Sequence, residues 1–122
     1  MSKHLLIAVL LATVGGGCAT GADPKVRNEI AAKLSSAQKP IGDCYQRQLY
    51  VNRKLRGMYV VQLAVAADSG QFSDISLRRD EPADPVLRYC VIQEIAKLRL
   101  DKPTGKRIEI DSFPIKFEPS NP

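Results

Sequence analysis

The chain has 122 residues, Lys and Arg outnumber Asp and Glu by 18 to 13, and the formal net charge is +5. That length holds one domain of ordinary size with a modest core. The one histidine is His4; the rest of the chain has none, which excludes a Ser-His-Asp or Cys-His catalytic arrangement and every histidine-containing zinc site there.

Met1-Ser2-Lys3-His4 leads into the apolar run Leu5–Val14 and then Gly15-Gly16-Gly17-Cys18. A basic start, a short apolar run and small residues at the break make residues 1–17 a secretory signal peptide. The run is too short to span a bilayer, which takes about 20 apolar residues. The cysteine at the break resembles a bacterial lipoprotein signal, in which Cys18 is acylated and becomes the mature N-terminus. The alternative is cleavage after Ala22, where Thr20-Gly21-Ala22 supplies the small residues. Residues 18–23 then form a short lipid-anchored tether without a Pro-rich or Gly/Ser-rich spacer, and 24–122 a single domain. Export argues against a nucleic-acid partner despite the basic balance. It leaves a solvated basic surface facing an anionic membrane or cell wall.

Asp23-Pro24 is a helix start, an N-cap carboxylate followed by proline at the first helical position. Val26, Ile30 and Leu34 form one stripe. Pro40 interrupts it, because proline lacks an N–H and disfavours a helical residue before it. A second helical stretch puts Ile41, Cys44, Tyr45, Gln48 and Leu49 on one face and ends near Asn52. Tyr59, Val61, Leu63 and Val65 then alternate as a strand. Asp68-Ser69-Gly70 is a hairpin turn, and Phe72 to Arg79 returns as a second strand. Asp84-Pro85 repeats the helix signal, and Val86, Leu87, Cys90, Val91, Ile95 and Leu98 fit an amphipathic helix.

Pro103-Thr104-Gly105 turns into a last strand, Arg107 to Phe117. Ile108 and Ile110 share one phase there, and Phe113, Ile115 and Phe117 the other. A bulge near Asp111-Ser112 reconciles them. Pro114 cannot donate to a ladder and places this strand at a sheet edge. The element order predicts an α+β fold: a small three-stranded antiparallel sheet with two main helices packed on one face, helix-strand-strand-helix-strand.

With Cys18 acylated, Cys44 and Cys90 remain, too few for a four-cysteine zinc site within one chain. In an oxidising compartment a disulfide between them is the natural reading. A redox pair lacks the C-x-x-C motif that lowers a thiol pKa; free buried thiols are the other alternative. Asp43, Asp68, Asp74, Asp80, Glu81 and Asp84 sit mostly at turns and caps, with no pair placed for acid–base work and no calcium-site spacing. No enzyme activity, metal or cofactor is expected.

Several pieces carry a family resemblance: Ile41-x-x-Cys44-Tyr45-x-x-x-Leu49, Leu55-x-Gly57 before the first strand, and Asp68-x-Gly70 at the hairpin. Cys90-Val91, Pro103-x-Gly105 and Phe113-Pro114-Ile115-x-Phe117 follow in order. From Ile41 to Glu118 the chain resembles the C-terminal domain of TonB-type energy transducers and, more closely, the AgmX/PglI-type C-terminal domains of gliding-motility proteins. The resemblance implies a TonB C-terminal-like fold, pairing of Cys44 with Cys90, and binding of extended peptides by strand addition. It extends to the domain alone, since the inner-membrane helix and Pro-rich rod of an energy transducer are not in this sequence.

The candidate partner-binding edge strand is Arg107, Ile108, Ile110, Ser112, Phe113, Ile115 and Phe117. The competing reading is that Pro114 and Lys116 stand there to block pairing. A basic cluster of Arg47, Arg53, Lys54 and Arg56 reads as a site for an acidic partner or lipid head groups, or as a solvated helix end. Tyr45 and Tyr59 read as core. The expectation is a non-enzymatic docking or adaptor lipoprotein in a motility or TonB-type transport machine. Cys18 anchors it to the periplasmic face of the outer membrane, since Ala19 rather than Asp follows the cysteine. Its partner is an envelope protein, and an open edge also lends itself to a strand-exchanged homodimer. The alternative is a small-ligand or cell-wall-binding lipoprotein, soluble in the periplasm or secreted if Cys18 carries no lipid.

Overall fold

The computed structural model describes residues 23–119 in full and the backbone of residues 7–11 and 19–20. In chain order the elements are β1 (Ile7–Leu11), β2 (Ala19–Thr20), α1 (Pro24–Ser36), α2 (Gln38–Val51), β3 (Gly57–Val65), β4 (Phe72–Asp80), α3 (Pro85–Ala96) and β5 (Ile108–Pro119). From α1 onward this is the expected α+β order. The antiparallel core is β5-β3-β4, and the full sheet runs β1-β5-β3-β4 with β2 also on β5.

Both Asp-Pro signals act as helix starts. Asp23 accepts from the Val26 N–H and Asp84 from the Leu87 N–H, each at 2.9 Å. The helical break falls at Ala37 rather than Pro40: α1 ends at Ser36 and α2 begins at Gln38. Pro40 lies in the first turn of α2, where a backbone donor has no intrahelical acceptor and its absence costs nothing. On α3, Leu87, Val91 and Ile95 are buried, but Val86 is exposed, as is Tyr89.

The core lies between the helices and one face of the sheet. Ile30 and Leu34 of α1, Ile41, Cys44, Tyr45 and Leu49 of α2, and the three buried residues of α3 close over Tyr59, Val61, Leu63 and Val65 of β3. The β3–β5 register sets Tyr59 opposite Ile115, Val61 opposite Phe113, Leu63 opposite Ile110 and Val65 opposite Ile108. Every one of these residues is buried, so register and burial specify each other. Between the Val61–Phe113 and Leu63–Ile110 pairs, Gln62 faces both Asp111 and Ser112. That is the expected bulge, and it lets Ile108 and Ile110 share the core face with Phe113, Ile115 and Phe117.

One disulfide joins Cys44 on α2 to Cys90 on α3, a separation of 46 residues. Closing a loop of that length stabilises by about 4 kcal/mol in the chain-entropy account. The Tyr45 hydroxyl donates to the Leu55 carbonyl at 2.5 Å and holds the α2–β3 loop.

Two features depart from expectation. The sequence places the last strand at a sheet edge, whereas β1 and β2 pair with its outer side and leave β4 as the edge on the far side. An apolar run such as Ile7–Leu11 satisfies the pattern of an export signal and of a strand alike, and composition cannot separate the two. Residues 98–100 also make an unforeseen β-like contact. Leu98 accepts from the Phe72 N–H, and the Leu100 N–H donates to Gly70. Gln71 caps the end of α3 through Ala96 and Leu98 carbonyls. Leu100 is buried there.

Candidate functional site

The outer side of β5 is the most distinctive surface. Its pairing is antiparallel in two pieces: Ile7–Leu11 against Pro119–Ile115, and Ala19–Thr20 against Ile110–Glu109. Residues 111–114, which include the bulge and Pro114, lie between the two ladders without an outer partner among the described residues. A residue with no N–H to donate is accommodated where the outer ladder is interrupted.

The opposite edge is built differently. Along β4 the register against β3 slips twice, between Val60 and Val61 and between Gln62 and Ala64. Each slip inserts one residue on β4, at Arg78 and in the Asp74–Ile75 stretch, and Asp74 has a φ of 51°. Bulges, a left-handed residue and the exposed charges Arg78 and Arg79 are the devices that keep an edge from pairing. From Ile115 onward β5 pairs with β1 as far as Pro119 and with β3 as far as Phe117, without a register slip.

The side chains of the predicted edge strand are mostly core. Ile108, Ile110, Phe113, Ile115 and Phe117 are buried beneath the helices, and Ser112 is half-buried at the bulge. Phe117 packs between Tyr45 and Tyr59, with ring centroids 5.0 and 5.1 Å away. β5 therefore offers a partner its backbone groups and the exposed Lys116 and Glu118, not its apolar side chains. Arg107 precedes the strand and reaches Asp74 at 2.9 Å and Glu109 at 3.2 Å across the open face of the sheet. Both carboxylates hold its guanidinium pKa above the ordinary value.

The four predicted basic residues do not form one patch. The Arg47 guanidinium lies 3.1 Å from the Cys90 sulfur and 3.8 Å from that of Cys44, over the disulfide. Arg53 and Lys54 are exposed in the turn after α2, where the Asn52 side chain accepts from the Lys54 N–H. Arg56 lines a cleft of about 410 Å³ at the end of the sheet, with Gly57, Met58, Glu81, Lys116 and Glu118. One member of the basic cluster and the far end of the edge strand thus meet there, which separation in sequence hides. A second, polar cleft of about 210 Å³ lies on the open face, around Gln62, Asp74 and Arg107.

Among the described residues the shifted titrating groups form no acid–base pair. Glu81 accepts from the Met58 N–H at 2.8 Å, and that bond, with Arg79, holds its carboxyl below the ordinary range. A general acid near neutral pH needs the reverse shift. Lys33 lowers the Asp101 carboxyl in the same way. Burial pushes the Tyr45 hydroxyl up to about 12 and raises that of Tyr59 as well. Among the described residues no group of three His, Cys, Asp or Glu is placed to hold a metal ion, and no helix is long and apolar enough to cross a membrane. Cys18, the predicted lipid anchor, lies outside the described residues. No family model, curated protein or solved structure matches the chain.

Proposed function

We propose that this protein is a non-enzymatic envelope lipoprotein, a TonB C-terminal-like docking module that receives an extended segment of another envelope protein on the outer edge of β5. The observation that carries the reading is the contrast between the two sides of the sheet. The β4 edge is bulged and charged, while the Ile115–Pro119 stretch of β5 already takes an antiparallel strand. Strand addition draws its affinity from main-chain hydrogen bonds, which is what β5 has to give once its side chains are committed to the core.

The disulfide supports an oxidising compartment, and the leader with Cys18 supports export and a lipid anchor at the outer membrane. Acyl chains would then hold the domain at a surface where a partner strand can find it. A motility or TonB-type transport machine is the setting that the resemblance suggests. A second reading, a small-ligand or cell-wall-binding lipoprotein, rests on the cleft beside Arg56 and Lys116, whose volume lies within the range of small-molecule sites.

The test is photo-crosslinking in native envelopes, with the reactive group at Lys116 on β5 or at Ser76 on β4. Capture of one envelope protein from Lys116, through a single extended segment, and none from Ser76 supports docking. Equal capture at both positions, or a wall fragment in place of a protein, overturns it.

A further inference from the structure

The strand that occupies the β5 edge belongs to the leader. Ile7–Leu11 falls inside the apolar run that marks residues 1–17 for removal, yet here it runs antiparallel to Ile115–Pro119. The register sets Val9 opposite Phe117 and Leu11 opposite Ile115, the two buried members of that stretch. α2 also lies against β1, so the strand sits in a notch formed by the edge of β5 and a helix. β2 follows the removal point and pairs with Ile110 and Glu109.

We propose that the leader segment Ile7–Leu11 is the intramolecular occupant of the docking edge in the uncleaved chain, and that the edge opens to a partner strand only when the leader is removed. This rests on the docking reading above and adds its regulation. The covalent step is hydrolysis of the Gly17–Cys18 amide by an envelope peptidase. Water adds across the bond, leaving a carboxylate on Gly17 and an amine on Cys18. Before that step the leader is tethered to its own acceptor, and a short tether gives an effective concentration on the order of millimolar. Severing the tether removes this advantage, and an incoming strand then competes with a dilute apolar peptide. The β2 pairing lies on the retained side of the cut, so the anchored end stays at one end of the opened edge.

The edge also keeps its core after removal. Among the described residues the buried apolar side chains run from Ile30 to Phe117, all within the retained chain.

The test compares amide hydrogen exchange in the 1–122 and 18–122 chains, both carrying Cys18→Ser and both with the disulfide formed. Peptides covering 115–119 report the edge and those covering 57–65 report the fold. The expected result is exchange about tenfold faster at 115–119 in the shorter chain, with 57–65 unchanged. A synthetic peptide of residues 3–14 restores the protection. If truncation also loosens 57–65, the full-length chain with Val9→Asp and Leu11→Asp replaces it, and the same loss at 115–119 is expected. Equal exchange in the long, short and substituted chains overturns the proposal, as does protection in 18–122 that rises with protein concentration, which would make a second copy the occupant. Crosslinking of an envelope protein to 18–122 through Lys116 would survive that failure, so the loss of regulation and the loss of docking are separable.

Discussion

At the scale of single residues, two tyrosines with the same burial have opposite status. Tyr45 and Tyr59 are both fully buried, and both were legible as core, Tyr45 on the helical face it shares with Ile41 and Leu49 and Tyr59 in the alternation of its strand. The Tyr45 hydroxyl has the Leu55 carbonyl, whereas that of Tyr59 has no hydrogen-bond partner among the described residues. A buried hydroxyl without a partner costs about 1–3 kcal/mol of desolvation. Tyr59→Phe is therefore expected to leave stability unchanged or raise it by up to about 1 kcal/mol, and Tyr45→Phe to lower it by about 1 kcal/mol, in urea unfolding. Which tyrosine is satisfied depends on where the α2–β3 loop lies, and no pattern in the sequence reports that.

The same residues set an alkaline limit. Both hydroxyls titrate higher in the folded protein than their ordinary value of 10.0, with Tyr45 at about 12. The folded state then holds protons that the unfolded state has released. Stability contributed this way is complete below pH 10 and declines as pH rises from there through the folded values. Urea midpoints should be flat from pH 8 to about 9.5 and fall from about 10 upward. Tyr59→Phe should make that fall shallower.

At the scale of elements, local chemistry decided what could be read early. The two Asp-Pro helix starts, the Asp68-Ser69-Gly70 turn and the bulge at Asp111–Ser112 each rest on one or two residues whose geometry admits few alternatives. Of the two bulges on β4, the one at Asp74–Ile75 leaves a mark, since Phe72 and Ile75 stand three apart and out of phase as Ile110 and Phe113 do, whereas the one at Arg78 lies among charged residues that carry no phase. Only the pairing with β3 shows that second insertion. The start of β3 carries a sharper constraint than its sequence suggests. Gly57 has a φ of 133°, and a Cβ placed there would lie 2.7 Å from the Glu81 Cβ. Gly57→Ala is expected to cost about 1–3 kcal/mol and to loosen the Met58–Glu81 pair, seen as faster exchange of the Met58 amide.

At the scale of the whole molecule, the hydrophobic periodicities pointed to the α+β arrangement, and Cys44 and Cys90 on two helix faces pointed to the helix-to-helix disulfide. They were not sufficient for the neighbour of β5, since an apolar leader and an apolar strand share one pattern. The disulfide crosses the helix layer, and folding stability for a domain of this size is roughly 5–15 kcal/mol. Replacing both partners, Cys44→Ala with Cys90→Ala, should remove about 4 kcal/mol in denaturant unfolding. Reduction of the wild-type protein should give a similar loss.

If the outer edge of β5 is a docking strand, amide exchange of the 18–122 domain, measured alone and with the envelope segment captured from Lys116, reports it. New protection confined to β5, strongest at Ile115–Pro119, with β4 unchanged, is the expected result. New protection along Phe72–Asp80, or only around the Arg47–Arg56 stretch, would contradict it and move the site away from the edge.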